Sequence, residues 1–555
     1  MKRLISIIIC CTIWSYIWSQ NATCYRIYLQ DKAGCEYTID NATAFLSPRA
    51  IEKRERFNIQ ITEQDLPVSN LYLQNLKITP DIQILSTSKW LNTVVLYCPD
   101  SLKIDEISQF PFVDSIIPVA NYQLDFNNLD KKISLDNNFK SYDLTTNFNY
   151  ANSIEQIAIH NGHLMHEAGF CGDDMLIAVL DGGWDGFDYQ APFSHFYLEG
   201  RIWGTRDFVP NARNVYNGIT HGTQVTAIMG ANLDGEIIGS APHANFFFIR
   251  SENPYSEQPI EEDFWVAGAE LADSLGADVI NSSLGYTTFP DFPQATFTIN
   301  DNNGRVSVAS KAATIAVEKG IVVVISAGNE GTSEWQKIGR PADAFNVLAV
   351  GACNKDSLMA DFSSHGFSAD GRVKPDVCAV GWDTWSIYGI AEDSISYYIL
   401  SGNGTSFSGP VIAGMAACLW QALPHKSASE LMQIIRESGH LYATPDTLMG
   451  YGIPNIYQAY LDNQEDNPTN IVNFAKKQFI GAPNPCSHLF KIYGNNEYIQ
   501  SVKLYDLSGR ELLFVDLSKN PKNQYILDLS NLKTGFYIAE VRGEQTLQTI
   551  RIIKK

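Results

Sequence analysis

The sequence predicts an α/β core, in which helices cover both faces of a parallel central sheet, flanked by a small α+β domain and a C-terminal β-sandwich. Five short apolar runs lack the alternation of a half-buried strand, and this is typical of strands buried on both faces. These runs are 175–180, 244–249, 278–283, 321–326 and 347–351. Helical stretches separate them, at 223–232, 262–275, 310–319 and 408–422. Strands that alternate with helices form a parallel sheet with right-handed crossovers.

Length and composition narrow the class of protein. A chain of 555 residues is too long for one core, so about two to four domains are expected. Hydrophobic residues make up 45% of the chain, which is typical of a globular protein rather than a disordered one. The formal net charge of -21 argues against nucleic-acid binding, which needs a basic surface.

Residues 1–19 are predicted to be a secretory signal peptide. Lys2 and Arg3 precede a mostly apolar run at 4–18, and the small residue Ser19 follows it. The run is shorter than the ~20 residues that a membrane-spanning helix needs. No other stretch is long and apolar enough to cross a bilayer, so we expect an exported protein without a transmembrane span in its mature form.

Residues 20–125 are predicted to form the α+β domain. Their strand-like runs fall at 25–29, 93–97 and 115–119, and Ser47 with Pro48 marks the start of a helix at 49–56. Residues 126–149 are polar and indicate a linker where processing falls. A helix at 150–165 is expected to lead into the core domain, which we assign to 150–460.

The chain is expected to end in a β-sandwich at 481–555, after a second linker at 461–480. Apolar and polar residues alternate in the runs 499–505 and 536–541, which are rich in residues that favour strands. Turn residues follow the first run at 506–509 and precede the second at 533–535.

Three segments far apart in the core domain carry the side chains of a serine hydrolase. Asp181 opens the motif DGG, His221 opens HGT, and Ser406 lies within GTSFSGP. Histidine has the pKa range of a base that activates a serine hydroxyl, and a carboxylate fixes its tautomer. The order Asp, His, Ser is one of three in which this triad recurs. Each residue alone has an ordinary alternative as a turn, loop or cap residue, but together they predict a catalytic site.

At these motifs the chain resembles the subtilisin family of serine proteases (subtilases), over about residues 150–460. The Ser406 motif is the most specific match, whereas DGG stands where the family more often has DSG or DTG. The resemblance implies a subtilisin-like fold and acyl transfer from a peptide to Ser406, followed by hydrolysis with no cofactor. Pro410 is expected in the first turn of the helix that Ser406 begins.

Two further segments fit this resemblance. The stretch 326–331 resembles the oxyanion-hole segment, which implies that the Asn329 amide and the Ser406 backbone N–H bind the oxyanion. The stretch 282–285 resembles the strand that holds the substrate backbone, and we expect an exposed strand edge there. The implied substrate-binding residues are Ser282, Ser283, Leu284, Gly285, Ala327 and Gly328. No acidic pocket for a basic substrate residue is evident.

The two ends of the chain carry resemblances of their own. The domain at 20–125 has the position of a subtilase propeptide, which implies a zymogen; the alternative is an unrelated small domain. The C-terminal domain resembles the type IX secretion sorting domain of Bacteroidota, and the alternative is a β-sandwich that binds carbohydrate. The matching residues are Pro483-Asn484-Pro485, 504–510, 532–537 and 553–555. The expected partners are protein or peptide substrates and the type IX machinery, with export through the periplasm to the outside or the cell surface.

Metal ligands and disulfides are weakly indicated. His160 and His163 could share a helix face, but His166 drifts off it, so we predict no metal site there. Many subtilases carry calcium, and Asp185 and Asp188 are candidate ligands, but no loop shows a full set of oxygen donors and surface acids are the prediction. The eight cysteines after the signal peptide are too sparse for a disulfide scaffold. The candidate bridges are Cys24–Cys35 and Cys353–Cys378, and Cys418 is expected to be buried as a small hydrophobe.

The predicted function is therefore a secreted serine endopeptidase. One alternative is a surface-binding protein that kept the fold and lost activity, since a fold does not imply a function. Another is a protease confined to processing a few partner proteins.

Overall fold

A computed structural model describes two compact units, one that ends at Gln464 and a small C-terminal one. Each unit is considered by itself. The predicted signal peptide and most of both predicted linkers lie outside the described residues. The residues that the structure describes are 22–79, 81–122, 134–135, 148–210, 214–295, 297–389, 397–464, 479–482, 486, 488–494, 498–506, 510–533, 535–544 and 547–554.

The N-terminal part of the large unit is an α+β domain, as predicted. Its four antiparallel strands, in the order β2-β3-β1-β4, are β1 (Cys24–Leu29), β2 (Gln83–Ser88), β3 (Thr93–Tyr97) and β4 (Val113–Ala120). Its helices are α1 (Pro48–Arg56), α2 (Asn70–Ile78) and α3 (Ser101–Ser108). The predicted start of α1 is confirmed, since the Ser47 hydroxyl accepts a hydrogen bond from the backbone N–H of Ala50 at 3.1 Å.

The core of the large unit is a parallel sheet, and all five predicted runs are strands in it. The described sheet has the order β14-β13-β12-β11-β6-β10-β7-β5, and only β5 runs antiparallel. Its strands are β5 (Ser134–Leu135), β6 (Leu176–Asp181), β7 (Ile202–Asp207), β10 (Asn245–Arg250), β11 (Val279–Ser282), β12 (Val322–Ser326), β13 (Leu348–Cys353) and β14 (Val377–Val380). Two short ribbons accompany it, made of β8 (Asn232–Leu233) with β9 (Ile237–Ile238) and β15 (Thr384–Gly389) with β16 (Tyr397–Gly402).

Helices pack against this sheet on both faces, as predicted. They are α4 (Ile154–Ala158), α5 (Gly162–Glu167), α6 (Ser194–Leu198), α7 (His221–Gly230), α8 (Ile260–Leu275), α9 (Val308–Glu318), α10 (Thr405–Ala422), α11 (Ala428–Glu437) and α12 (Ile456–Asn463). Short 3₁₀ turns lie at Ile39–Ala44, Glu63–Asp65, Ala151–Ser153, Ala191–Phe193 and Ile299–Asp301. Helix α7 contacts α10, and α8 contacts α9. Within the described chain, no helix has the length and apolar character to cross a membrane.

The helix expected at 150–165 is interrupted. The structure has a 3₁₀ turn, then α4, then a break, then α5. Asn161 stands at the break with φ of 53°, in the left-handed region that asparagine tolerates better than most residues. The apolar pattern predicted a helix but could not place this break, because it depends on one backbone angle.

The N-terminal sheet lies against α8 through buried ion pairs. The Arg26 guanidinium contacts both carboxylate oxygens of Asp263, at 2.5 and 2.7 Å. Arg54 bonds Asp65 and Asp273, both at 2.9 Å, and Lys319 bonds Asp65 at 2.8 Å. All of these side chains are nearly or fully buried. Removal of one partner while the domains remain packed would leave a buried unpaired charge, which is costly.

The C-terminal unit is the predicted β-sandwich. One sheet has the order β17-β18-β21 and the other β20-β19-β22-β23. The strands are β17 (Phe479–Ala482), β18 (Leu489–Gly494), β19 (Ser501–Asp506), β20 (Glu511–Asp516), β21 (Gln524–Asp528), β22 (Gly535–Arg542) and β23 (Leu547–Lys554). Residues from both sheets, such as Phe490 and Leu504, share one buried core. Pro483-Asn484-Pro485, 507–509 and Thr534 of the predicted motifs and turns lie outside the described residues.

The two candidate disulfides are wrong in this structure, where all eight described cysteines are free. Cys378 stands opposite Gly351 on the neighbouring strand, and Cys353 stands opposite Val380. This offset of two residues separates the two Cα atoms by roughly 8 Å, beyond the ~7 Å that a disulfide spans. Strand register, which spacing in the sequence does not reveal, decides this case. Cys418 is fully buried, as expected.

Candidate active site

Asp181 and His221 form the centre of the candidate site. Asp181 is the last residue of β6, which lies between β10 and β11, so its carboxylate is fully buried. The Nδ1 atom of His221 lies 2.9 Å from each carboxylate oxygen of Asp181. The backbone N–H of Gly182 donates to the same carboxylate at 2.7 Å. These contacts fix the imidazole ring and leave its Nε2 edge for other partners.

The environment of His221 favours its charged form. Burial alone would lower the pKa of the imidazole, but the charge of Asp181 and the hydrogen bond between them more than offset it. The pKa of His221 is therefore raised above its ordinary value of 6.5. Its side chain is 29% exposed, so the ring remains reachable from solvent.

Close backbone packing explains the glycine that follows His221. His221 is the first residue of α7, and the N–H of Gly222 donates to the carbonyl of Gly183 at 2.9 Å. A Cβ atom at position 222 would lie 2.6 Å from that carbonyl oxygen and 2.8 Å from the Trp184 ring. Only glycine lets α7 start this near the end of β6, which is what brings the imidazole to Asp181.

Ser406 is the second residue of α10, and the next residue, Phe407, brings the start of this helix to the imidazole of His221. Gly404 precedes the helix with φ of 152°, which L side chains rarely adopt, and the phenyl ring of Phe407 stacks 6.4 Å from the His221 ring. The Ser406 hydroxyl donates to the carbonyl of Ser283 at 3.3 Å. Among the described contacts, no hydrogen bond joins Ser406 to His221. Catalytic hydrogen bonds are often formed only when substrate binds, so this geometry is compatible with a triad.

Pro410 lies in the second turn of α10, not in the first as predicted, and this creates a gap that Ser283 fills. An α-helix bonds the N–H of each residue to the carbonyl four residues earlier, so residue 410 would serve the carbonyl of Ser406. Proline has no N–H. The Ser283 hydroxyl donates to that carbonyl instead, at 3.0 Å. Ser283 thus contacts Ser406 twice, through its hydroxyl and through its own carbonyl.

Asn329 is held with its amide nitrogen available. Its Oδ1 atom accepts hydrogen bonds from the N–H of Thr405 at 2.9 Å and from the Thr405 hydroxyl at 3.0 Å. The Thr405 hydroxyl in turn accepts from the N–H of Gly328 at 3.1 Å. The Asn329 Nδ2 atom lies 3.7 Å from the position that a Cβ of Gly404 would take, two residues before Ser406. Two donors, this amide and the N–H of Ser406, therefore lie near one another.

The predicted exposed strand edge at 282–285 is wrong in part. Ser282 ends β11, an interior strand between β6 and β12, and its hydroxyl accepts from the Trp265 indole at 2.9 Å. Ser282 and Ser283 are buried. Beyond the strand, Gly285 is exposed, and no hydrogen bond within the described chain engages the backbone of Leu284 or Gly285. The free backbone is thus confined to those two residues.

Ala327 and Gly328 connect the end of β12 to Asn329. Ala327 is fully buried and its N–H donates to the carbonyl of Val350 at 3.0 Å. Gly328 has φ of 106°, and its carbonyl accepts from the N–H of Ser364 at 2.9 Å. These internal bonds hold Asn329, the next residue, in its orientation.

Two histidines of the stretch 160–166, His160 and His166, are engaged in structural hydrogen bonds. The Nδ1 atom of His160 lies 3.0 Å from the Pro454 carbonyl, and the ring nitrogens of His166 contact the Tyr150 hydroxyl at 2.8 Å and the Ser240 carbonyl at 3.1 Å. Burial lowers the pKa of both imidazoles to about 4.

Among the described residues, the structure gathers no further acidic ligands around Asp185 and Asp188, the candidate calcium ligands. The Asp185 carboxylate accepts from the Tyr189 hydroxyl at 3.4 Å. Neither Asp185 nor Asp188 belongs to a group of three acidic, histidine or cysteine side chains that could hold a metal ion, because no such group exists in the described part of the chain.

Sequence reasoning missed a cluster of carboxylates beside the site, of which Glu261 is buried and Glu252 and Glu257 are half-buried. Glu252 lies two residues after β10. The N–H of the residue between them, Ser251, donates to the carbonyl of Asp181 at 3.1 Å. Burial raises the pKa of Glu252, Glu257 and Glu261. Repulsion from Glu257 raises the pKa of Glu252 and Glu261 further, and repulsion from Asp291 helps to raise that of Glu257 to about 7. The stretch 252–263 is rich in acidic residues, but only the fold brings these side chains together, so spacing in the sequence did not indicate the cluster.

Three parts of the chain match known domain families. Residues 172–452 match the subtilase family, 24–137 the peptidase S8 propeptide domain of Bacteroidota, and 482–555 the secretion system C-terminal sorting domain. The chain is thus a zymogen, and its last domain directs it through type IX secretion to the cell surface or outside.

Individual relatives agree with these matches. Subtilisin E of Bacillus subtilis (strain 168) is 31% identical over 298 residues, which are 53% of this chain and 68% of that protein. A subtilisin of Bacillus pumilus is 30% identical over 53% of this chain and 94% of its own length. Serine protease AprX of Bacillus subtilis (strain 168) is 25% identical over 61% of this chain and 74% of its own length. The chain therefore belongs to the subtilase family of serine proteases.

Proposed function

We propose that this subtilase is a secreted serine endopeptidase that uses Asp181, His221 and Ser406 as its triad, with Asn329 in the oxyanion hole. The observation that carries the proposal is the pair of 2.9 Å contacts from His221 Nδ1 to the buried Asp181 carboxylate, beside the start of the helix that bears Ser406. This pair fixes the tautomer in which Nε2 is free to accept a proton.

The reaction begins when a peptide carbonyl reaches Ser406. The Ser406 hydroxyl turns from the Ser283 carbonyl toward His221. It loses its proton to Nε2 as its oxygen attacks the carbonyl carbon of the peptide, and a tetrahedral adduct forms. His221 then gives that proton to the leaving amine, and an acyl-enzyme forms on Ser406. Water, activated by the same imidazole, completes hydrolysis. Asp181 stabilises the imidazolium that forms in each half of the reaction.

Charge on the substrate oxygen is met by fixed dipoles. The Asn329 amide nitrogen and the Ser406 N–H are the donors that we assign to the oxyanion, at the positive end of α10. Because Thr405 holds the Asn329 oxygen, the amide needs no reorganisation during the reaction. In subtilisin, a relative, loss of this amide costs about 3–4 kcal/mol in the transition state, and we expect a similar loss here.

The test is active-site labelling of the purified mature protein with a fluorophosphonate probe, which phosphonylates an activated serine. We expect a label on the wild type and none on Ser406→Ala, with a large loss in Asp181→Asn. No label on the wild type, or an equal label on Ser406→Ala, would favour the rival function of an inactive surface-binding protein.

A further inference from the structure

An exposed apolar surface lies beside the candidate site, on the ribbon that leads to Ser406. Strand β16 ends four residues before Ser406, at Gly402. Tyr398 is 55% exposed and Leu400 is 48% exposed. Their neighbours on the strand, Tyr397 and Ile399, pack against the core. Exposed apolar side chains that lie close together often mark a binding surface.

Strand register joins these side chains to the catalytic groups. In the antiparallel pairing Tyr398 stands opposite Tyr388, so the two side chains lie on one face, and Leu400 and Gly402 share that face. A Cβ atom at Gly402 would lie 2.0 Å from the Tyr388 hydroxyl and 2.6 Å from the Phe407 ring. Tyr388 and Phe407 therefore meet over Gly402.

Phe407 connects the ribbon to His221. Its ring lies 6.4 Å from the imidazole, with 21° between the ring planes. Phe407 is buried and Tyr388 is half-buried, so these two rings lie between His221 and the exposed side chains of Tyr398 and Leu400. We call Phe407, Tyr388, Tyr398 and Leu400 the leaving-side strip.

The ribbon is held firmly enough to act as a binding surface. The Ser386 hydroxyl donates to the carbonyl of Gln224 in α7, the helix that begins with His221, at 2.8 Å. The Gln156 side chain bonds both the N–H and the carbonyl of Trp385, at 2.8 and 3.1 Å. In the described chain β16 pairs only with β15, so its outer edge offers free backbone groups to an extended peptide.

Proton transfer decides which part of a substrate meets this strip. In the proposed mechanism His221 delivers a proton to the leaving nitrogen, so the chain beyond that nitrogen begins beside the imidazole. The leaving-side strip adjoins the imidazole through Phe407. The free backbone at Leu284 and Gly285 follows Ser283, the residue whose carbonyl accepts the hydrogen bond from the Ser406 hydroxyl.

We propose that the leaving-side strip binds the substrate segment on the C-terminal side of the scissile bond and selects apolar side chains there. This inference rests on the proposed function. Tyr398 and Leu400 stand two residues apart on a strand, which is the spacing at which an extended peptide presents alternate side chains to one face. The occupant is thus an extended stretch of substrate protein with apolar residues at alternate positions.

Acyl-transfer partitioning tests this proposal directly. The mature enzyme is acylated by a peptide p-nitrophenyl ester, which has no residues after the scissile bond. Water then competes with an added amine for the acyl-enzyme. The amines are Leu-Gly-Leu amide, which could occupy the strip, and glycinamide, which has no side chain. The ratio of aminolysis to hydrolysis is measured for each amine. The ratio for Leu-Gly-Leu amide is then divided by the ratio for glycinamide, so that changes in the chemical step cancel.

In the wild type we expect a strong preference for Leu-Gly-Leu amide over glycinamide. Tyr398→Ser/Leu400→Ser should reduce this preference roughly tenfold, because two apolar contacts are lost. Leu400→Glu should shift the preference toward Lys-Gly-Lys amide. The matched control is Leu358→Ser, which removes an apolar side chain that is 61% exposed and lies outside the ribbon. It should leave the preference unchanged.

The two proposals fail in different ways. A preference that is equal in the wild type, the ribbon double variant and Leu358→Ser would overturn the role of the strip while the protease function stands. A wild type that is never acylated by the ester would overturn both.

Discussion

The contact between Ser283 and Ser406 yields a quantitative prediction. Ser283→Ala removes the hydroxyl that donates to the Ser406 carbonyl, and Pro410 supplies no N–H in its place. A buried acceptor left without a partner costs about 1–3 kcal/mol. Ser406 is only half-buried, so we expect a cost near the lower end, about 1–2 kcal/mol. Since the carbonyl belongs to the residue that bears the nucleophile, kcat/KM should fall by about 5–30-fold.

Pro410→Ala provides the second arm of a double-mutant cycle. Alanine restores an N–H at the position that normally bonds the carbonyl four residues earlier. In that background the Ser406 carbonyl has a new donor, and Ser283→Ala should cost about 1 kcal/mol less than in the wild type. The assay is kcat/KM on a chromogenic peptide for the wild type, both single variants and the double variant.

Ser408→Ala is the matched control for this cycle. Its hydroxyl also donates to a carbonyl of α10, that of Thr405 at 3.0 Å, but the Ser326 hydroxyl donates to the same oxygen at 2.9 Å. Its removal should therefore change kcat/KM little. Equal losses from Ser283→Ala with and without Pro410→Ala would refute the reasoning, because the missing N–H would then be irrelevant.

Three further predictions concern charge. Because the pKa of His221 is raised, activity should rise with pH with a midpoint above 6.5, and Asp181→Asn should lower both that midpoint and the maximal rate in a profile of kcat/KM against pH. Arg26→Ala leaves Asp263 buried without its partner, which should lower the free energy of unfolding by about 3–5 kcal/mol. The measurement is urea unfolding of the full chain carrying Ser406→Ala to prevent self-cleavage, and an unchanged urea midpoint would contradict this. The pKa of Glu257 is raised from 4.5 to about 7, so the folded state retains its proton longer than the unfolded one. Retention of this proton favours the folded state, fully below a pH of about 4.5 and no longer once the pH has risen through about 7. The isosteric variant Glu257→Gln should therefore flatten the dependence of the free energy of unfolding on pH between 5 and 8.

Much of the core could be predicted because burial leaves a direct trace in sequence. Strand β6 and its parallel neighbours are covered on both faces, so each appears as a continuous apolar run. The residues at the carboxyl ends of such strands lie along one edge of the sheet, where Asp181 ends β6 and Asn329 follows β12.

The remainder depends on distances that spacing along the chain does not encode. Ser283 serves the Ser406 carbonyl only because β11 ends beside α10, about 120 residues away along the chain. The break at Asn161 depends on one dihedral angle, and the separation of Cys353 from Cys378 on strand register. The acidic cluster and the leaving-side strip arise from side chains that face one another after folding.

Trapping the acyl-enzyme on Ser406 is the sharpest test of the proposed mechanism. The mature protein is mixed with p-nitrophenyl acetate, quenched in acid within the first turnover, and analysed by intact mass and peptide mapping. We expect one acetyl group per chain, located on the peptide that contains Ser406 and absent from Ser406→Ala. An acetyl group on another residue, or a burst of p-nitrophenol that survives in Ser406→Ala, would contradict it.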